Sequence, residues 1–271
     1  MHTVGPAFAA CLLAFLLLPC GARSSAAPVS DATQSCIECH RLIHPGIDPD
    51  AYRPSHGVSV ARSATDRHGT TVPLLVCVTT LEPYKGLGAL LEACGRLEAA
   101  GFDFACEIVG EGWLAPSLGA DIARGRLTAR IRLRGALRQD EVTSLLHQAS
   151  IVVLPGMVAP HGPIGGFPVA LMEAMAAERP VVASAIAAIP ELVEHGVTGL
   201  LVEPGNAGAL TDAIAVLLLD PVRARELGRR GRRKVLREFR LDTCASALLN
   251  ELDRWKTPRV RDRETRGSAP R

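Results

Sequence analysis

Four groups of residues in this sequence could carry chemistry. Cys36-Ile37-Glu38-Cys39-His40 sets two thiols one helical turn apart beside an imidazole. That C-x-x-C-H spacing lets the thiols reach the vinyl groups of a haem while the His ligates its iron. Lys85, in Tyr84-Lys85-Gly86, follows a β-branched apolar run, so its ammonium can reach an anion at the edge of a sheet. Residues 156–166 are rich in Gly and Pro and open into a stretch of helical period. At that mouth Gly165 and Gly166 would let backbone N–H groups approach a phosphate closely. Glu173, on the same helical stretch, has the phase to point back toward the crevice, where a carboxylate can accept hydrogen bonds from a ribose diol. A Lys beside a turn is usually a solvated cap and a Glu in mid-helix is usually exposed, so these residues gain their meaning together.

Regular elements must hold them in place. Apolar runs at 72–78, 104–109, 131–133, 151–154, 181–183 and 200–202 read as strands. Helical periods fall at 87–97, 114–124, 140–148, 169–177, 207–219 and 224–239, with a further helix ending near Leu192. Strands alternating with helices across short Gly/Pro turns imply right-handed βαβ units and an α/β fold, a Rossmann-like doubly wound parallel sheet. Ligands of such sheets bind beyond the carboxyl ends of the strands, near helix N-termini.

A chain of 271 residues with 48% hydrophobic and only 4% aromatic content suits an α/β core of small aliphatics. The formal net charge of +2 gives no reason to expect a nucleic-acid partner. Basic residues concentrate at 223–237, where they alternate with Leu and Val as on a solvated helix face, and again at 259–271. The stretch 256–271 is polar without apolar period and is expected to be a disordered tail. Cys77, Cys94 and Cys106 sit in apolar segments, where a thiol behaves as a small hydrophobe.

The first 27 residues stand apart. The apolar run at 7–18, then Pro19, Gly21 and Ser24-Ser25-Ala26-Ala27, has the length of a signal-peptide core and falls short of a membrane span. Its leading residues carry no Lys or Arg, which leaves a buried apolar helix or a misplaced start codon as alternatives. Residues 28–46 form a leader around the C-x-x-C-H motif, and 30–47 resemble the start of multihaem cytochromes of the hydroxylamine-oxidoreductase type. That resemblance implies covalent haem c at Cys36, Cys39 and His40. The further haem sites of those cytochromes do not follow, and some 20 residues make no shell for a haem. Residues 47–71 are expected to act as a linker.

From Gly46 onward the sequence resembles retaining glycosyltransferases of family 4. The resemblance rests on Gly46-Ile47-Asp48-Pro49-Asp50-Ala51-Tyr52-Arg53-Pro54, Leu81-Glu82-Pro83-Tyr84-Lys85-Gly86, Ile108-Val109-Gly110-Glu111-Gly112 and Gly166-Phe167-Pro168-Val169 through Glu173-Ala174-Met175-Ala176. Ile189-Pro190-Glu191-Leu192-Val193 and Gly196 through Val202 complete an ordered set spanning nearly the whole domain at 72–255. It implies one half of a GT-B fold, the C-terminal donor-binding domain. It also implies a nucleotide-sugar partner linked to UDP, GDP or ADP, and transfer with retention to a glycan or lipid acceptor. The donor site implied comprises Lys85 on the diphosphate, Gly110, Gly165, Gly166, Phe167 and Pro168 around it, and Glu173 on the ribose. Neither a metal nor a cofactor is required for the transfer so implied.

The sequence departs from that family at two positions. Thr80 stands where an Arg usually joins the Lys on the diphosphate, and Gly165 stands where an acidic residue usually contacts the donor sugar. The stretch before Gly46 is too short for an acceptor domain, so a missing acceptor-domain partner is expected. A nucleotide-binding relic without catalysis, fused to a haem leader, is the alternative. The two ends also imply different compartments, since haem attachment needs export to the periplasm and nucleotide sugars belong to the cytoplasm.

Overall fold

Short aliphatic runs that end at Gly, Pro or a polar turn become the strands of one sheet. The computed structural model describes residues 46–53, 63–65, 71–158 and 168–256. The strands are β1 Ser63–Thr65, β2 Thr71–Val78, β3 Ala105–Val109, β4 Ile131–Gly135, β5 Ile151–Leu154, β6 Val181–Ser184 and β7 Leu200–Val202. The helices are α1 Leu87–Ala99, α2 Ala115–Arg124, α3 Gln139–Gln148, α4 Val169–Ala176, α5 Ile189–Leu192, α6 Ala207–Leu219, α7 Pro221–Glu238 and α8 Leu241–Lys256. The sheet runs β4-β3-β2-β5-β6-β7 with every pair parallel, and β1 lies antiparallel on β2.

Alternation along the strands sends successive side chains to opposite faces. Leu75 and Cys77 of β2 join a core with α1, α2 and α6, while Leu74 and Val76 join a second core with α3, α4 and α5. Both faces are therefore covered, as a parallel sheet of near-continuous apolar strands requires. Phe104, Leu75 and Leu146 are among the largest fully buried side chains, each contributing roughly 1.5–3 kcal/mol by removal from water. Cys77, Cys94 and Cys106 are free and buried in the first core, and burial pushes the Cys77 thiol up. The hydrogen bond between Cys106 and Cys94, with burial, raises the Cys106 thiol as well.

The chain steps outward from β2 to β3 and β4, then returns through α3 to β5 on the other side of β2. The order of strands thus reverses between β2 and β5. That switch point opens a crevice at the carboxyl ends of these two strands, where ligands of such folds bind.

The structure corrects the expected linker at 47–71 wherever it describes that segment. Ile47 and Tyr52 are buried in the second core, and Ile47 pairs with Arg240 by donating its N–H to Phe239 O at 3.1 Å and accepting from Leu241 N at 3.2 Å. Residues 63–65 form β1. The solvated face expected over 223–237 is also corrected in part. Arg223, Arg229, Arg230, Arg233 and Arg237 are exposed, but Arg232 and Lys234 are buried. Lys234 donates to Glu194 at 2.7 Å, and Arg232 caps backbone carbonyls. α7 begins at Pro221, three residues before the sequence pattern suggests, because Asp220 accepts from Arg223 N at 2.9 Å and Pro suits the first helical turn. α8 is an element the sequence reading lacked. The signal-like segment and the tail beyond Lys256 lie outside the described residues. Among the described residues no helix is long and apolar enough to cross a membrane.

Candidate functional site

Lys85 closes a short 3-10 turn, Pro83–Lys85, that leaves β2 for α1. Gly86 ends the turn with φ 67°, a conformation that favours glycine. It also packs on the next loop, since a Cβ at Gly86 would come within 2.9 Å of Gly156 N. Met157 N donates to Tyr84 O at 3.0 Å, Gly156 N to Ser184 Oγ at 2.9 Å, and Gly205 N to Gly156 O at 2.9 Å. The loops following β2, β5, β6 and β7 are therefore bolted to one another around Gly156. Lys85 is half-buried with its ammonium 4.9 Å from the centre of the Tyr84 ring, and it makes no salt bridge among the described residues.

The acidic group nearest in sequence is already engaged. Glu82 accepts from Thr80 Oγ1 at 3.2 Å and from the Tyr84 hydroxyl, and that second bond raises the Tyr84 phenol above its ordinary range. Thr80 thus contributes a hydroxyl turned to Glu82 instead of a cation. Gly110 forms the floor beside it. With φ 133° it donates to Gly135 O at 2.9 Å, and a Cβ there would overlap the carbonyl oxygen of Thr79. Gly112 meets the Leu81 backbone in the same way, so Gly110-Glu111-Gly112 is a turn that must pass close to the end of β2.

Pro168 precedes α4 and its carbonyl accepts from Leu171 N at 2.9 Å, starting the helix. Gly165, Gly166 and Phe167 lie outside the described residues, as do Cys36, Cys39 and His40. Glu173 sits on the second turn of α4 and is only 8% exposed. A buried carboxylate needs partners, and Glu173 has two. Its Oε1 accepts from the Tyr52 hydroxyl at 2.7 Å and from Gln139 Nε2 at 2.9 Å. Gln139 Nε2 also reaches the Tyr52 oxygen at 2.8 Å, closing a triangle among α3, α4 and the 46–53 segment. Burial, then the bond to Glu173, holds the Tyr52 phenol far above its ordinary range, so it stays a neutral donor.

The sequence reading placed Glu173 in the crevice but missed Tyr52 and Gln139. Gln139 opens α3 just beyond β4, and α4 follows β5, so both helix starts rise from the carboxyl edge of the sheet. Lys85, Gly110, Pro168 and Glu173 all lie on that edge. A cation without an ion pair among the described residues, a glycine floor and a buried carboxylate held by two donors suit a polar, anionic ligand laid across the switch point. Among the described residues no group of three His, Cys, Asp or Glu side chains could hold a metal ion.

These features define a Rossmann-like domain with Lys85, Gly110 and Glu173 on the carboxyl edge of its sheet, and the comparisons with known proteins narrow the class. The family model described as "Glycosyl transferases group 1" matches residues 72–220, more than half of the chain. This chain belongs to that glycosyltransferase family. It is 43% identical over 144 residues to an amylovoran biosynthesis glycosyltransferase, AmsK, of Erwinia amylovora, a match covering 53% of this chain and 35% of the relative. It is 30% identical over 209 residues to a GDP-mannose-dependent alpha-(1-6)-phosphatidylinositol monomannoside mannosyltransferase of Mycobacterium tuberculosis, covering 77% of this chain and 54% of the relative. Among solved structures, Anabaena Alr3699/HepE in complex with UDP and glucose matches with a TM-score of 0.63 at 24% identity, over 77% of this chain and 55% of that one. This last likeness carries the fold alone. The chain spans about a third to a half of the length of the relatives it matches.

Proposed function

We propose that this chain is the nucleotide-sugar donor-binding part of a retaining glycosyltransferase of family 4, acting with an acceptor-binding part on a glycan or lipid. The observation that carries this reading is the convergence of Lys85, the Gly156-centred loops and the held carboxylate of Glu173 at one switch point. Lys85 would meet the diphosphate and Glu173 the ribose. In transfer, the bond from anomeric carbon to diphosphate oxygen breaks as the bond to the acceptor oxygen forms. Charge then gathers on the departing diphosphate, and a cation fixed beside it before the reaction stabilises that charge without reorganisation. The GDP-mannose named for the mycobacterial relative supports a nucleoside-diphosphate sugar as the ligand class.

Thermal unfolding of the purified chain with UDP, GDP and ADP tests donor binding. At about 100 times its Kd one of them should add roughly 2.7 kcal/mol. For a domain of this size that raises Tm by about 5–10 °C. A cooperative melt that none of the three moves would overturn the reading.

A second reading, a nucleotide-binding relic, is favoured by one observation: Thr80 gives its hydroxyl to Glu82 where a second cation would strengthen the diphosphate site. Saturable nucleotide binding with no donor hydrolysis and no transfer would support it. The haem leader at Cys36, Cys39 and His40 is a separate proposal. A covalent haem stain on protein from cells with maturation machinery, lost on Cys36→Ala with Cys39→Ala, would uphold it; an unstained band would remove it. Export to the periplasm stands or falls with that stain and with cell fractionation.

A further inference from the structure

The segment 46–53 does more than enter the domain. Its backbone is fastened at both ends of the turn. Ile47 bridges to the start of α8, and buried Arg232 of α7 donates to Pro49 O and Tyr52 O at 3.4 Å each and to Ala176 O at the end of α4. Desolvation lowers the Arg232 guanidinium below its usual range, yet it remains a cation, and the Ala176 carbonyl closes the negative end of the α4 dipole. This fastening delivers the Tyr52 hydroxyl to Glu173 across 121 positions of sequence.

The bonds at Glu173 are one-sided. Tyr52 and Gln139 both donate to Oε1, whereas Oε2 has no hydrogen-bond partner among the described residues. Nor is the Glu173 side chain fully sealed, since the residue keeps 8% of its surface exposed. With two donors already on Oε1, its lone pairs are filled and a ligand must use Oε2.

We propose that Tyr52 and Gln139 are positioning residues that pin Oε1 of Glu173 and present Oε2 to a single hydroxyl of the donor's ribose. This rests on the donor-binding reading. The carboxylate then discriminates one ribose hydroxyl instead of gripping the 2′,3′ diol equally. Tyr52 takes part in nucleotide selection without touching the nucleotide.

The test is calorimetric titration of the full chain with UDP, GDP and ADP and with the 2′-deoxy and 3′-deoxy forms of whichever binds. Tyr52→Phe, which keeps the buried ring, and Glu173→Gln are titrated beside it. Loss of one hydroxyl should weaken binding about tenfold, the worth of one hydrogen bond to a charged group, and loss of the other by less than about threefold. Tyr52→Phe should shrink that tenfold ratio to about threefold or less by weakening the nucleotides that keep the selected hydroxyl and leaving the deoxy form that lacks it unchanged. Equal losses for both deoxy forms, or a Tyr52→Phe effect common to every nucleotide, would overturn the proposal while leaving donor binding intact. Absence of binding by the unaltered chain to all three nucleotides would instead remove the donor reading itself.

Discussion

The two sides of the crevice are built by different means. Around Glu173, polar side chains from three distant segments converge: Tyr52 from the entry segment, Gln139 from α3 and the carboxylate from α4, with Arg232 fastening the whole from α7. Around Lys85, the loops are joined by backbone hydrogen bonds and close glycine contacts, and the cation rests on the Tyr84 ring without a carboxylate partner among the described residues. The first side spends its polar groups on one another and so ties function to stability. The second leaves its cation without an ion pair among the described residues. A buried hydrogen-bonded group cannot be removed without exposing its partners, whereas an unpaired, half-exposed cation can.

Substitutions should divide along that line. The largest effect is expected from Arg232→Leu, which takes a buried donor from three carbonyls, Pro49 O keeping Tyr52 N, and should cost about 3 kcal/mol of stability, read from urea unfolding. A loss under about 1 kcal/mol would mean that Arg232 does not fasten the entry segment and that the Ile47 bridge and the Tyr52 contacts hold it instead.

A smaller effect is expected at Glu194→Gln, outside both sides of the crevice, where Glu194 pairs with the buried ammonium of Lys234. Because Glu194 is half exposed, about 1 kcal/mol is a suitable figure. The hydrogen bond from Lys234 holds this carboxyl below its usual range. Its contribution is therefore present above the ordinary carboxylate pKa and lost as pH falls through the lowered folded value. Urea midpoints followed downward through the carboxylate range should converge for the two proteins, and a gap that persists in acid would contradict the pairing. Lys85→Ala should change stability least, by less than about 0.5 kcal/mol, since it breaks no ion pair among the described residues. Its cost should fall on diphosphate binding instead.

This division also explains what could be read from sequence. Strands β2, β5 and β7 were legible within a residue because their aliphatic runs stop at small or polar turn residues: Thr79-Thr80, Pro155-Gly156 and Pro204-Gly205. The turns that hold Lys85 and Gly110 were legible because their parts are neighbours in the chain. Glu173 was legible as a residue but not as a buried one, since its partners lie 121 and 34 positions away. Arg232 and Lys234 were hidden in a run of exposed arginines. α8 was missed although Leu241, Cys244, Leu248, Leu249 and Leu252 recur at helical spacing, and of these only Cys244 is buried. Short β1 escaped for want of length, and Gly165, Gly166 and Phe167 lie outside the described residues.

The central claim is that Lys85 and Glu173 serve one ligand, at its diphosphate and its ribose. The most direct measurement compares binding of a nucleoside with that of its diphosphate in the unaltered chain, Lys85→Ala and Glu173→Gln. Lys85→Ala should weaken the diphosphate at least about tenfold and leave the nucleoside unchanged, while Glu173→Gln should weaken both by a similar factor. A Lys85→Ala protein that loses nucleoside and diphosphate alike, or neither, would contradict the account.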